Sequence, residues 1–131
     1  MKLLLDTHIW LWGLQEPQNL SRRVASAIEN PANELWLSPM SIWELVMLVE
    51  KRRVTLNTAT ETWVAQAMSR APVREAPITY EVALETRQVR LPHRDPVDHL
   101  LVATARVFEL TLVTADQRLI GAKGLSVLPS R

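Results

Sequence analysis

The chain is patterned in short apolar runs separated by longer stretches of helical periodicity. Residues 2–5 (KLLL) set three leucines in a row, the pattern of a strand buried on both faces. Helical spacing follows through Trp10 and Trp12 and again from Val24 to Ile28, and Leu35 to Leu37 predicts a second short strand closed by Ser38-Pro39. From Pro39 or Ser41 to Glu50 the residues are apolar on every face of a helix, which predicts a buried helix. Residues 59–70 suit another helix, entered through the turn-like Asn57-Thr58, and residues 80–90 a further one beyond Pro72 and Pro77. The segment HRDPVDHLLVATARVF opens on Asp95-Pro96, where aspartate caps and proline takes the first helical position. Residues 110–114 (LTLVT) predict an interior strand, Gln117–Ile120 a helical turn and Leu125–Leu128 an edge strand. Strands alternating with helices predict an α/β fold, a three-layer sandwich with a mostly parallel central sheet flanked by helices. The 131 residues suffice for one domain over 1–131 and are too few for two.

Composition narrows the chemistry. With no cysteine, disulfide frameworks, thiolate zinc sites and cysteine nucleophiles are all excluded. Only Gly13, Gly121 and Gly124 are glycines, so a phosphate-cradling glycine loop is absent. The net charge of +1 gives no global field for a polyanion, and any such site must be local. Three leucines before Asp6 do not read as a secretory signal, and no apolar run reaches the ~18 residues of a membrane span. A cytoplasmic location is the expectation.

Four carboxylates stand in neighbourhoods that are wrong for ordinary surface. Asp6 ends the first apolar strand and Asp116 follows another, and ligands of parallel sheets bind beyond such strand ends. Each could equally cap the helical turn that follows it. Glu44 lies within the apolar helix, where a carboxylate is costly without a cation or donors. It could also close a capping box with Ser41, unless the helix starts at Ser38-Pro39 and carries it out of reach. Asp98 falls at the third position of its helix, suited to the helix dipole and equally to the rim of a site. Brought together, the four would repel one another and raise their pKa values unless a cation sat among them. Oxygen-only ligands suit Mg²⁺ or Mn²⁺, which activate water and clamp phosphodiester oxygens. The residues by themselves leave structural and catalytic readings of each acid open.

Four strings in this order, LLLDTHIWLW, LSPMSIWEL, HRDPVDHLLVATA and LVTADQRLI, resemble the PIN domain, and within it the VapC-type toxins of bacterial toxin–antitoxin pairs. The resemblance spans essentially the whole chain. It carries the family's acidic, metal-holding and catalytic positions onto Asp6, Glu44, Asp98 and Asp116, with Thr114 supporting the last aspartate and Thr7 adjoining Asp6. It implies a ribonuclease with one or two Mg²⁺ or Mn²⁺ ions. A metal-bound water would attack RNA in line, leaving a 5′-phosphate and a 3′-hydroxyl. It further implies a homodimer and a small antitoxin protein that blocks the site. One departure is visible: many relatives have lysine four residues after the glutamate, where this chain has Leu48, and Lys51 is not the same position.

Two other classes fit less well. An aspartate-nucleophile phosphatase or phosphotransfer domain would pair Asp6 with a second acid, but His8 stands in that place. A non-catalytic interaction module on the same fold would have no reason to keep four uncompensated acids. Of the five tryptophans, Trp10 and Trp12 cannot share one helix face, so one is expected inward and the other toward a partner. His8, His93 and His99 lack metal-ligand spacing and are expected in hydrogen bonds or at the surface. Lys51-Arg52-Arg53 and Arg87, Arg90, His93 and Arg94 are basic clusters that could track RNA but more simply read as solvated.

Overall fold

The structure, a computed structural model, describes residues 1–130. The elements run β1 (Lys2–Leu5), α1 (Thr7–Gln15), α2 (Arg22–Glu29), β2 (Glu34–Leu37), α3 (Pro39–Glu50), α4 (Thr60–Arg70), β3 (Arg74–Glu75), α5 (Tyr80–Glu85), α6 (Pro96–Val107), β4 (Thr111–Thr114), α7 (Gln117–Ile120) and β5 (Val127–Pro129). Single 3₁₀ turns follow α1 at Pro17–Asn19 and α5 at Thr86–Gln88.

The five strands form one parallel sheet in the order β3-β2-β1-β4-β5. The leucine run of β1 explains its central place. Leu3 and Leu5 face one core with Ile9, Trp10, Val24, Leu45 and Ala67, from α1 to α4. Leu4 faces the other, with Val82, Leu101, Val102 and Leu119 from α5, α6 and α7. A strand buried on both faces has no polar positions, and all three leucines are essentially inaccessible. The result is the three-layer sandwich that the strand–helix alternation predicts.

Several elements differ from the sequence reading. The helix expected over 80–90 ends at Glu85 and finishes as a 3₁₀ turn, because Thr86 Oγ1 and Arg87 Nε bond back to the Ala83 and Leu84 carbonyls. The last strand begins at Val127 rather than Leu125. β3 is two exposed residues between Pro72 and Pro77, which no periodicity of their own could announce. It exists because the edge of β2 offers a ladder, Trp36 opposite Arg74 and Leu37 opposite Glu75. The helix α3 is not buried all round: Ser41 and Leu45 are its buried residues, and Trp43 is 51% exposed. It lies in an outer layer, so only one face meets the core, and its outward face stays apolar without cover. Among the described residues, no helix is long and apolar enough to cross a membrane.

Candidate active site

Chain order around β1 builds the site. β2 and β3 lie to one side of β1, β4 and β5 to the other, so the crossovers reverse direction between β1 and β4. At such a switch point the loops at the carboxyl ends of the strands part and leave a crevice. α1 and α3 leave strands at that edge. α6 leads into β4 by running back against the sheet, so its N-terminus also starts there. Asp6, Glu44, Asp98 and Asp116 accordingly line one cleft of about 360 Å³, with His8, Trp12, Asp95, Ala115 and Arg118.

Asp6 takes the capping role that the sequence offered, and it also lines the cleft. Its Oδ1 caps α1 by accepting from the Thr7 backbone N–H at 2.7 Å, and its Oδ2 accepts from Thr114 Oγ1 at 2.7 Å. Burial pushes its pKa up, and the Asp98 charge adds to that, against the lowering effect of the Thr114 hydrogen bond. Thr114 contacts both strand-end aspartates: its Oγ1 donates to Asp6 Oδ2 and accepts from the Asp116 backbone N–H at 3.0 Å. The Thr7 hydroxyl turns away from Asp6: it donates to Glu44 Oε1 and lies 2.9 Å from Ser41 Oγ. Both threonines are fully buried.

Glu44 lies in the second turn of α3, because Ser38 caps the helix by accepting from Met40 N–H. That start excludes the Ser41 capping box. Burial raises the Glu44 pKa, and the carboxylates of Asp6, Asp98 and Asp95 raise it further, while the Thr7 hydrogen bond opposes them. Asp98 is 8% exposed and does not close a box with Asp95; its Oδ2 is 2.6 Å from His93 Nε2. Its pKa is likewise raised, first by burial and then by Asp95 and Asp116, against the His93 hydrogen bond. Asp116 is the exception. It caps α7, and Arg118 grips it through Nε and Nη2, the latter at 2.8 Å, which holds its carboxyl below the ordinary range.

Three carboxylates with raised pKa values facing one crevice are a donor set that a hard cation would stabilise. Among the described residues no three acidic or imidazole groups stand close enough to hold one ion between them. The arrangement therefore suits an ion that takes one or two carboxylates and completes its shell with water and phosphate oxygens, as Mg²⁺ does.

Arg118 and the His93–Asp98 contact are the parts of the site that sequence reasoning missed. Their only signal was spacing, Arg118 two residues beyond Asp116 and His93 five before Asp98. Leu48 packs against the core under α3 and is not among the residues lining the cleft. Arg87 and Arg90 are tied to backbone carbonyls. Trp10 is buried edge-on against Trp63 at 5.6 Å, while Trp12 lines the cleft.

A β1–β4 switch point carrying these acids defines a class of acidic-cleft α/β domains. Residues 3–125 match the PIN domain, and the chain belongs to that family. It is 39% identical over 120 residues to Ribonuclease VapC22 of Mycobacterium tuberculosis (strain ATCC 25618 / H37Rv), covering 89% of this chain and 88% of that one. Its fold is similar to that of VapBC2 from Rickettsia felis, bound to a DNA fragment from its promoter, with a TM-score of 0.75 at 17% identity over 100% of both chains. It is also similar to DNA-bound VapBC from Salmonella typhimurium, with a TM-score of 0.68 at 17% identity over 98% of each chain.

Proposed function

We propose that this chain is a metal-dependent endoribonuclease and the toxin of a toxin–antitoxin pair. The observation that carries the reading is the convergence of Asp6, Glu44, Asp98 and Asp116 on one crevice at the β1–β4 switch point. Its 39% identity to a protein named as a ribonuclease supports the substrate class. Asp6, Glu44, Asp98 and Asp116 line the cleft, and one or two of them at a time would hold Mg²⁺ or Mn²⁺, with water and phosphate oxygens completing its shell. The bound ion would activate water and neutralise charge on the scissile phosphate.

The chain's own groups do the preparatory work. Thr7 N–H and Thr114 Oγ1 hold both oxygens of Asp6, so the carboxylate reaches the cleft in one orientation. His93 fixes Asp98 from behind, and Thr7 ties Glu44 to the start of α1. Preorganised acids of this kind cost little to arrange when substrate arrives. The same reading makes the chain a homodimer in the cytoplasm, restrained by a small antitoxin protein that occludes the crevice.

The test is cleavage of an RNA oligonucleotide with and without Mg²⁺ or Mn²⁺. Asp6→Asn and Asp98→Asn should each lower the rate at least about 100-fold, the usual scale for removing a group that stabilises transition-state charge. Cleavage that survives both substitutions, or that persists in chelator, refutes the assignment.

A further inference from the structure

Five carboxylates line the crevice, those of Asp6, Glu44, Asp95, Asp98 and Asp116, and Arg118 is the one permanently charged cation among its described lining residues. Its guanidinium is placed as a bridge. Nε lies 3.1 and 3.3 Å from the two Asp116 oxygens, Nη2 lies 2.8 Å from Asp116 Oδ2, and the same Nη2 stands 3.7 Å from Asp98 Oδ2. Thus Arg118 spans the Asp98–Asp116 side of the cleft, while the Asp6–Glu44 side is held only by neutral threonine hydroxyls and a backbone N–H.

We propose that Arg118 is a two-position residue, a counter-cation for Asp98 and Asp116 in the ion-free protein and a phosphate-binding residue once a divalent ion takes those carboxylates. The inference rests on the ribonuclease reading and extends it to the substrate contact. Arg118 is not needed to build α7, a four-residue turn already capped by Asp116 through the Arg118 backbone N–H. Its side chain is 53% exposed, and ion pairs at such exposure contribute little to folding. It is therefore free to exchange partners at small cost. The planar guanidinium fork matches carboxylate and phosphate equally well, and lysine's point charge does not. A polyanion entering a cleft with five acids needs a cation at the rim. An arriving dication would screen the carboxylates and release Arg118 at that rim.

The experiment titrates Mn²⁺ alone into the full chain, following free ion by electron paramagnetic resonance, for wild type, Arg118→Gln and Arg118→Lys, with melting curves to confirm folding. Arg118→Gln should bind Mn²⁺ roughly two- to fivefold more tightly, the scale set by losing a half-exposed competing ion pair. With Mn²⁺ saturating, its KM for an RNA oligonucleotide should rise about tenfold with a smaller change in kcat, and Arg118→Lys should restore only part of it. Equal or weaker Mn²⁺ binding by folded Arg118→Gln, or an unchanged KM, overturns the proposal and leaves the ribonuclease reading standing. A wild-type chain that binds no Mn²⁺ overturns the metal site and this proposal together.

Discussion

Thr114 Oγ1 donates to Asp6 Oδ2 at 2.7 Å, joining the ends of two neighbouring parallel strands that lie 108 residues apart in sequence. The same oxygen accepts from Asp116 N–H, so one buried hydroxyl registers both strand-end aspartates. Threonine suits this fully buried position because its hydroxyl can both donate to Asp6 and accept from Asp116. Thr114→Val keeps that shape and removes the donor. It should destabilise the fold by about 2 kcal/mol in denaturant melts, the cost of a lost hydrogen bond to a charged group, and should weaken Mn²⁺ binding. Thr114→Ser should stay close to wild type in both. A valine variant with unchanged ion affinity would show that the link positions nothing.

Thr7 and Glu44 connect α1 to α3 through a buried hydroxyl and a half-buried carboxylate. Their coupling is measurable by a double-mutant cycle. Thr7→Val should cost about 2 kcal/mol in the wild-type background and under about 1 kcal/mol when Glu44 is already alanine. Additive costs would mean that Ser41, 2.9 Å from the Thr7 hydroxyl, is its effective partner.

The acids also set how stability depends on pH. Burial raises Asp6, Glu44 and Asp98 above their ordinary values near 3.8 and 4.5, so the folded state binds protons more tightly than the unfolded chain. Their contribution is fully present below those ordinary values and is lost as pH rises through the raised folded values. Asp116, lowered by Arg118, works in the opposite sense: its contribution is lost as pH falls through its depressed value, below 3.8. With three groups against one, Tm in chelator should fall as pH climbs above the ordinary carboxylate values of 3.8 and 4.5, and saturating Mg²⁺ should reverse the fall. Asp98→Asn should raise Tm in chelator by about 3 °C, equivalent to roughly 1 kcal/mol for a chain of this length, while losing ion binding. A flat Tm in chelator would contradict the raised values.

Legibility followed locality. β1 could be read from three leucines, and α6 from Asp95-Pro96, because strand burial and helix capping are written in adjacent residues. The four acids could be picked out because strand ends and helix starts converge at the same sheet edge in a parallel fold. β3 could not, since Arg74–Glu75 pairs only because β2 has an open edge. The additional threonine contacts were not legible for a similar reason: adjacency puts Thr7 beside Asp6, where its backbone N–H serves the carboxylate, but only the fold turns its hydroxyl to Glu44 and brings Thr114 Oγ1 to Asp6. Burial of α3 was overestimated because hydrophobic composition does not say which layer is outermost, and Trp43 faces out.

Leu48 offers a sharp test of that distinction between sequence position and spatial role. The resemblance to VapC-type toxins leads one to expect lysine there, and invites the idea that introducing it would improve catalysis. In this chain Leu48 is one of the side chains packed against the core that contains Leu5, Ile9 and Leu45. A lysine would need to lift its ammonium out along α3 or leave a charge against that apolar surface. Leu48→Lys should therefore destabilise the fold by about 1–3 kcal/mol in urea melts and leave kcat/KM on RNA no higher than wild type. A more active Leu48→Lys enzyme of unchanged stability would mean that α3 presents position 48 to the crevice, contrary to the packing seen here.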